Sequence, residues 1–370
     1  MDRKIVIIIF VSSFLFSQNL VDRFKSPIAI KTKIGLGYDS NFLRLSANDI
    51  DGGKAYNYGI VSTVDSPIIK PTMKFSYNPV LFDDHKTNFI YSFSYNYFNQ
   101  SLKKSYLISN VSLEFKLKSY SWIKFGFRDI PKFYLRDFID RDSDTNNYKE
   151  CFFSSQTFFS SYSFPLKWFK RAWIKAQYKH INEFYNSYFT EFDLKKDLIQ
   201  FELNYKMKNN NSIKTSFSYG EAKNINFNNS NLVSTYIDRS FSFGNMYLSF
   251  IVRNYDLKKI DKFGFSHFLE IRLYDMELSK NINLLPSVWN FTEEANDWDG
   301  WKRYMDGKFI WWIDWDLLND IAIKTSYSYR WRKPEYELYD NMDWIADAKK
   351  YVKHEVWLEF SYQFITDLLY

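Results

Sequence analysis

Between positions 351 and 364 polar and apolar residues alternate without a break. Val352, His354, Val356, Leu358, Phe360, Tyr362 and Phe364 occupy one set of positions, and Lys353, Glu355, Trp357, Glu359, Ser361 and Gln363 occupy the other. Successive side chains of a strand point to opposite faces, so this stretch predicts a strand with one apolar and one hydrophilic face. The same pattern predicts strands over 28–38, 73–77, 89–97, 107–117, 123–127, 152–162, 171–179, 199–205, 213–219, 236–243, 246–255, 265–273, 309–317 and 321–329. In 89–97 the apolar face is a row of rings, Phe89, Tyr91, Phe93, Tyr95 and Tyr97, opposed by Ser92, Ser94 and Asn96. Gly244-Asn245 predicts a tight turn joining 236–243 to 246–255. The segment 282–291 is interrupted by Pro286 and enters as a strand because an even number requires it.

Connections fall into two kinds. Those at 119–121, 208–212, 244–245 and 319–320 are short, whereas hydrophilic ones starting at Arg136, Glu221, Thr292 and Arg332 are long, and 41–67 is a long loop near the start. The expectation is all-β, an antiparallel up-and-down sheet of about sixteen strands, with roughly fourteen to eighteen compatible.

Composition decides which solvent such a sheet meets. Aromatic residues make up 21% of the chain, yet mean hydropathy is −0.41 and 25% of residues are charged. A soluble sandwich also alternates, but here the rings are interleaved with Ser, Asn, Lys and Glu instead of forming long apolar runs. The one long apolar run, Ile5 to Phe16, follows Asp2, Arg3 and Lys4 and precedes Ser17 and Gln18. That is the layout of a secretory signal peptide, too short to span a bilayer. Residues 1–17 are therefore expected to be a signal peptide, 18–27 a short periplasmic lead and 28–370 the sheet. Cys151 is the single cysteine, which excludes an intrachain disulfide. In hydrocarbon every backbone polar group needs an internal partner, so a spanning sheet must close. The predicted fold is a transmembrane β-barrel.

The last strand, followed by Leu368, Leu369 and Tyr370, resembles the closing strand of bacterial outer-membrane β-barrel proteins. The words Gly35-Leu36-Gly37-Tyr38-Asp39-Ser40-Asn41 and Arg44-Leu45-Ser46 are similar to the first strand and loop of several porin-like barrels. The resemblance implies the outer membrane of a Gram-negative-type bacterium, a lipid bilayer around the barrel, barrel-assembly machinery during insertion, small solutes as cargo and no cofactor. In porins of about sixteen strands the loop after the fifth strand folds inward. Carried over to 136–150, this would place Arg136, Asp137, Asp140, Arg141, Asp142 and Asp144 at a constriction. A loop projecting into solvent is the alternative.

Net charge is +6 with a pI near 8.9. The basic residues are scattered at strand spacing with no dense run, which argues against nucleic acid as a partner. On the faces expected to line a lumen stand Lys116, Lys124, Arg128, Lys175, Lys179, Lys214, Arg253, Arg272, Lys324 and Arg330, against Glu202, Glu270, Asp314, Glu355 and Glu359. One prevailing sign biases a pore toward the opposite ion, here anions. Cross-strand pairing that fills the interior is the competing expectation.

Catalytic chemistry has little support. None of the four histidines, His85, His180, His267 and His354, lies in a nucleophile motif. Ser266 beside His267 is the one pair that an outer-membrane hydrolase could use. Asp140, Asp142 and Asp144 alternate as in a calcium loop, but Thr145 replaces the turn glycine and Cys151 the bidentate glutamate. Two aromatic groups, Trp298, Trp301 and Tyr304, and Tyr336, Tyr339 and Trp344, suit either interfacial anchoring or stacking on sugars. The functional expectation is a porin-like channel with no catalytic, cofactor or metal residues. Its rivals are a structural or export-associated barrel serving a partner in surface polysaccharide or protein assembly, and a hydrolase. Solute and oligomeric state are left open.

Overall fold

The computed structural model describes residues 26–59, 62–80, 86–140, 142, 147–207, 211–227, 239–253, 262–277, 299–318, 320–336 and 349–366. The expected signal peptide and the 282–291 segment lie outside them. Fourteen strands close into one barrel: β1 Ile28–Asp39, β2 Ser66–Tyr77, β3 Thr87–Phe98, β4 Tyr106–Lys118, β5 Ser121–Ile139, β6 Tyr148–Pro165, β7 Ala172–Tyr185, β8 Leu194–Lys206, β9 Ser212–Asn224, β10 Phe241–Arg253, β11 Lys262–Glu277, β12 Asp299–Leu318, β13 Ile321–Tyr336 and β14 Tyr351–Thr366. Each pairs antiparallel with its sequence neighbour, and β1 pairs with β14 from Ile28↔Thr366 to Asp39↔Glu355. No strand edge is left open.

The count differs from sixteen for two reasons. Segment 282–291 is not among the described residues, and Gly244-Asn245 does not turn. It lies inside β10, where Gly244 pairs with Tyr219 of β9 and Ile271 of β11. Alternation runs straight through the dipeptide, with Met246 and Leu248 on the exposed face and Phe243 buried on the other. A Gly-Asn turn forms only where its flanking strands pair with each other, and here both already have partners. Loop bounds also contract. Arg136 and Asp137 belong to β5, Tyr148 to Glu150 to β6, and Tyr304 to β12.

Strands of 12 to 20 residues exceed the ~9–11 needed to span a bilayer, so they project beyond it. The connections at 78–86, 119–120 and 166–171 and both barrel termini lie at one end, and 99–105, 186–193 and the much longer 40–65 lie at the other. Outer-membrane barrels place short turns in the periplasm and long loops outside.

Side-chain distribution is inverted relative to a soluble protein. Exposed positions alternate as Ile34, Leu36 and Tyr38 on β1, Ile199, Phe201 and Leu203 on β8, and Val356, Phe360 and Tyr362 on β14. The opposite face carries Lys33, Glu202, Glu355 and Glu359 in ion pairs. An apolar exterior round a closed, charged interior is the architecture of an outer-membrane β-barrel, its outer face solvated by lipid.

Candidate functional site

The first long connection folds back onto the inner wall. Asn41 closes a tight loop: its Oδ1 accepts from Leu45 N at 2.8 Å, and its Nδ2 donates to Leu45 O at 2.8 Å and to Val352 O on β14 at 3.2 Å. Phe42, Leu43 and Leu45 are thereby turned against Ile68, Phe98 and Tyr134, and Trp357 packs on the cluster's edge. These residues come from β2, β3, β5 and β14, so the loop is docked on a wide arc of wall. Ser46 then caps α1 (Ala47–Asp51), accepting from Asp49 N at 3.0 Å. At Gly59, φ is +91° and an added Cβ would lie 2.2 Å from the Tyr134 hydroxyl, so no larger residue fits. The Tyr134 hydroxyl lies 2.7 Å from Asp137 Oδ1, and the Arg136 guanidinium lies 4.9 Å from the Tyr58 ring centre. Arg136 and Asp137 thus support the first loop from the strand wall. Asp140 is buried, accepts from Asp142 N at 3.1 Å and so closes its own turn. Arg141 and Asp144 lie outside the described residues. Among the described residues the first loop folds inward. Its hydrophobic words, Phe42-Leu43 and Leu45, were the available signal, but a local pattern does not name the distant wall they meet.

The connection between β3 and β4 joins this assembly. Lys104 donates to the Tyr134 and Leu135 carbonyls at 2.6 and 3.2 Å and lies 4.4 Å from the Phe133 ring centre. Burial, with Arg44 and Lys353 nearby, pushes its ammonium well below the ordinary lysine range.

Below the loop the wall is ionic. Lys116, Lys124, Arg128, Lys175, Lys179, Glu202, Lys214, Arg253, Glu270, Arg272, Asp314, Lys324, Arg330, Glu355 and Glu359 all stand on the face opposite the apolar belt. The structure brings some together. Lys214 meets Glu202 at 2.8 Å, Arg272 meets Glu270 at 2.5 Å, and Lys124 meets Glu114 at 3.7 Å. Lys308 and Lys353 share Glu355 at 3.3 and 2.9 Å, and Lys353 also meets Asp39 at 2.5 Å. Lys33 bridges the seam to Glu359 at 2.7 Å. Lys324 lies 4.6 Å from the Trp312 ring centre. Arg128 and Lys175 take part in no ion pair among the described residues. Sequence reasoning missed Lys33, Lys70 and Lys74, which alternate on β1 and β2; Lys70 precedes the start its weak pattern indicates for β2, whereas Lys33 and Lys74 already stood opposite the apolar positions of their predicted strands. A recess of about 280 Å³ opens in the wall between Lys179, Glu202, Lys214, Asn245, Tyr247 and Phe268.

Ser266 and His267 do not form a catalytic pair. Being adjacent on β11, they point to opposite faces: Ser266 is buried, whereas His267 stacks on Phe309 with ring centres 4.2 Å apart. His354 contacts the Tyr327 hydroxyl at 2.7 Å, and His180 contacts Asp197 at 2.8 Å. His85 lies outside the described residues, as do Trp298, Tyr339 and Trp344. Tyr304 is buried beside Arg332. Among the described residues no group of three or more His, Cys, Asp or Glu is placed to hold a metal ion.

No protein-family profile and no curated protein matches the sequence. Solved structures that overlie it include OccAB3 of Acinetobacter baumannii (7% identity, 92% of this chain and 99% of that one, TM-score 0.39). The outer-membrane channel DcaP of the same organism overlies 92% of this chain and 98% of its own (10%, 0.42), and a bacterial polysaccharide outer-membrane secretin 90% and 98% (8%, 0.39). Overlaps this loose carry neither solute nor partner across to this chain.

Proposed function

We propose that the chain is a porin-like channel that passes small solutes by diffusion through a charged, mildly basic lumen, without a cofactor. The observation that carries this reading is the surplus of inward cations. Glu114, Glu202, Glu270, Glu355 and Glu359 on that face are each matched by lysine or arginine, Asp314 is not, and Arg128 and Lys175 remain without an ion pair among the described residues. A wall with uncompensated charge of one sign attracts the opposite ion. The barrel reaches its bilayer through barrel-assembly machinery, and its solutes are small and preferentially anionic.

The test is single-channel conductance of the refolded protein in a planar bilayer under a salt gradient. Steady steps with a reversal potential displaced toward the anion are expected. An inserted barrel that carries no current overturns the open channel. The docked first loop favours one second reading, an export-associated or structural barrel whose lumen a partner opens. That reading predicts no current from the intact protein and current once residues 42–58 are replaced by a short linker.

A further inference from the structure

The inward loop also positions an arginine. Phe42, Leu43 and Leu45 bury toward the wall, and Arg44 between them has φ +58°, in the left-handed region that non-glycine residues rarely occupy. This reversal turns its side chain away from the apolar cluster and toward β13 and β14. The Arg44 guanidinium lies 5.9 Å from the centre of the Tyr351 ring, and that of Arg332 lies 5.3 Å from the same ring. Arg332 is held by one carboxylate. It grips Asp306 with Nε at 3.1 and 3.2 Å and Nη2 at 2.8 Å, and the Tyr351 hydroxyl adds a bond to Asp306 at 3.2 Å. Asp306 thus makes its ion pair with Arg332 and acts on Arg44 only from a distance. Arg44 and Arg330 have no ion pair among the described residues.

Like charges are not brought together in a half-buried corner without cost. Burial, with Arg330 and Arg332, pushes the Arg44 guanidinium below its ordinary range, and Tyr351 and Asp306 only partly oppose this. A left-handed backbone turn holds Arg44 where the charge repulsion is felt, a setting that an anion between the guanidiniums would relieve. A guanidinium presents a planar fork matched to two oxygens of one group.

We propose that Arg44 and Arg330, with Arg332 held in place by Asp306 and the Tyr351 ring as a floor, bind a planar or tetrahedral oxyanion, a carboxylate or phosphate group carried by a small solute. The proposal deepens the channel reading and rests on solutes entering the lumen, but its test does not need current. Inorganic phosphate and succinate are titrated into the detergent-refolded protein by calorimetry at constant ionic strength, with chloride as the reference ion. Saturable binding is expected for phosphate or succinate and not for chloride. Arg44→Gln and Arg330→Gln are each expected to weaken it by roughly tenfold or more, and Arg44→Lys, which keeps the charge but loses the fork, by nearly as much. Heat-modifiable gel migration checks that each variant is folded, and Arg330→Gln stands in if the loop variant is not. Binding equal to that of chloride, or binding unchanged in the folded variants, overturns the site. Current without oxyanion binding sinks the site and leaves the channel. Binding without current supports the site and sinks the channel.

Discussion

Lys353 shows what a single charge does at the seam. It is buried between two acids, with Asp39 at 2.5 Å and Glu355 at 2.9 Å, and Asp39 has no exposed surface. Lys353→Met would leave a buried carboxylate with no counterion. The expected loss is about 3–5 kcal/mol of stability, read from urea unfolding in lipid vesicles; an unchanged midpoint would refute it. A second residue-scale effect lies in the connection between β7 and β8. Glu191 is buried in the turn Thr190–Phe192, 3.8 Å from Arg239, with Asp140 and Asp142 also acting on it. Burial pushes its carboxyl up to about 7, and Arg239 only partly opposes this. A carboxyl raised in the folded state binds its proton more tightly there than in the unfolded chain. Its stabilisation is therefore complete below the unfolded value and is lost as pH rises through about 7. Stability should fall between about pH 4.5 and 7.5 by on the order of 2–3 kcal/mol, and Glu191→Gln should flatten that slope in unfolding titrations.

At the scale of elements, the first loop is held by side chains it meets only in the closed barrel. Phe42 is 2% exposed and Leu45 1% exposed, so Phe42→Ala should weaken docking by about 3–5 kcal/mol. The barrel does not depend on that cluster for its ladder. The expected outcome is an intact barrel with a larger and noisier conductance and faster proteolysis within 41–65. Paired strands use a different device. Gly264 lies opposite Trp312, and a Cβ there would meet the indole at 2.4 Å. Gly264→Ala should cost about 1–3 kcal/mol by displacing the ring, detectable as a lowered unfolding midpoint with unchanged strand content by circular dichroism.

At the scale of the molecule, the closed ladder makes an inside and an outside, and charge on the inside acts as a sum. Lys175 and Lys179 lie four residues apart on one face of β7, with Glu202 across from Lys175. Changing both lysines to glutamate should move the reversal potential toward cations while leaving the migration of the folded barrel on gels unchanged. No shift in selectivity would mean that this part of the wall does not face the permeating ions.

The facing of each strand was legible in the residues alone. A period of two is local, so Val352 to Phe364 and Phe89 to Tyr97 declare their apolar sides without reference to any neighbour. The signal weakened wherever pairing depends on distant partners. Gly244-Asn245 has turn chemistry, yet β9 and β11 already flank β10 and hold it extended. Proline at 67 and 71 hid the start of β2, whose pairing with β1 nevertheless runs to Ser66. The candidate site divides in the same way. That the wall is charged and mostly basic follows from alternation. That Arg44 meets Arg330, Arg332 and Tyr351 does not, because those residues lie nearly three hundred positions away and come together only when β14 closes on β1. Periodicity specifies a face, whereas loop closure across the whole barrel specifies which faces share a space.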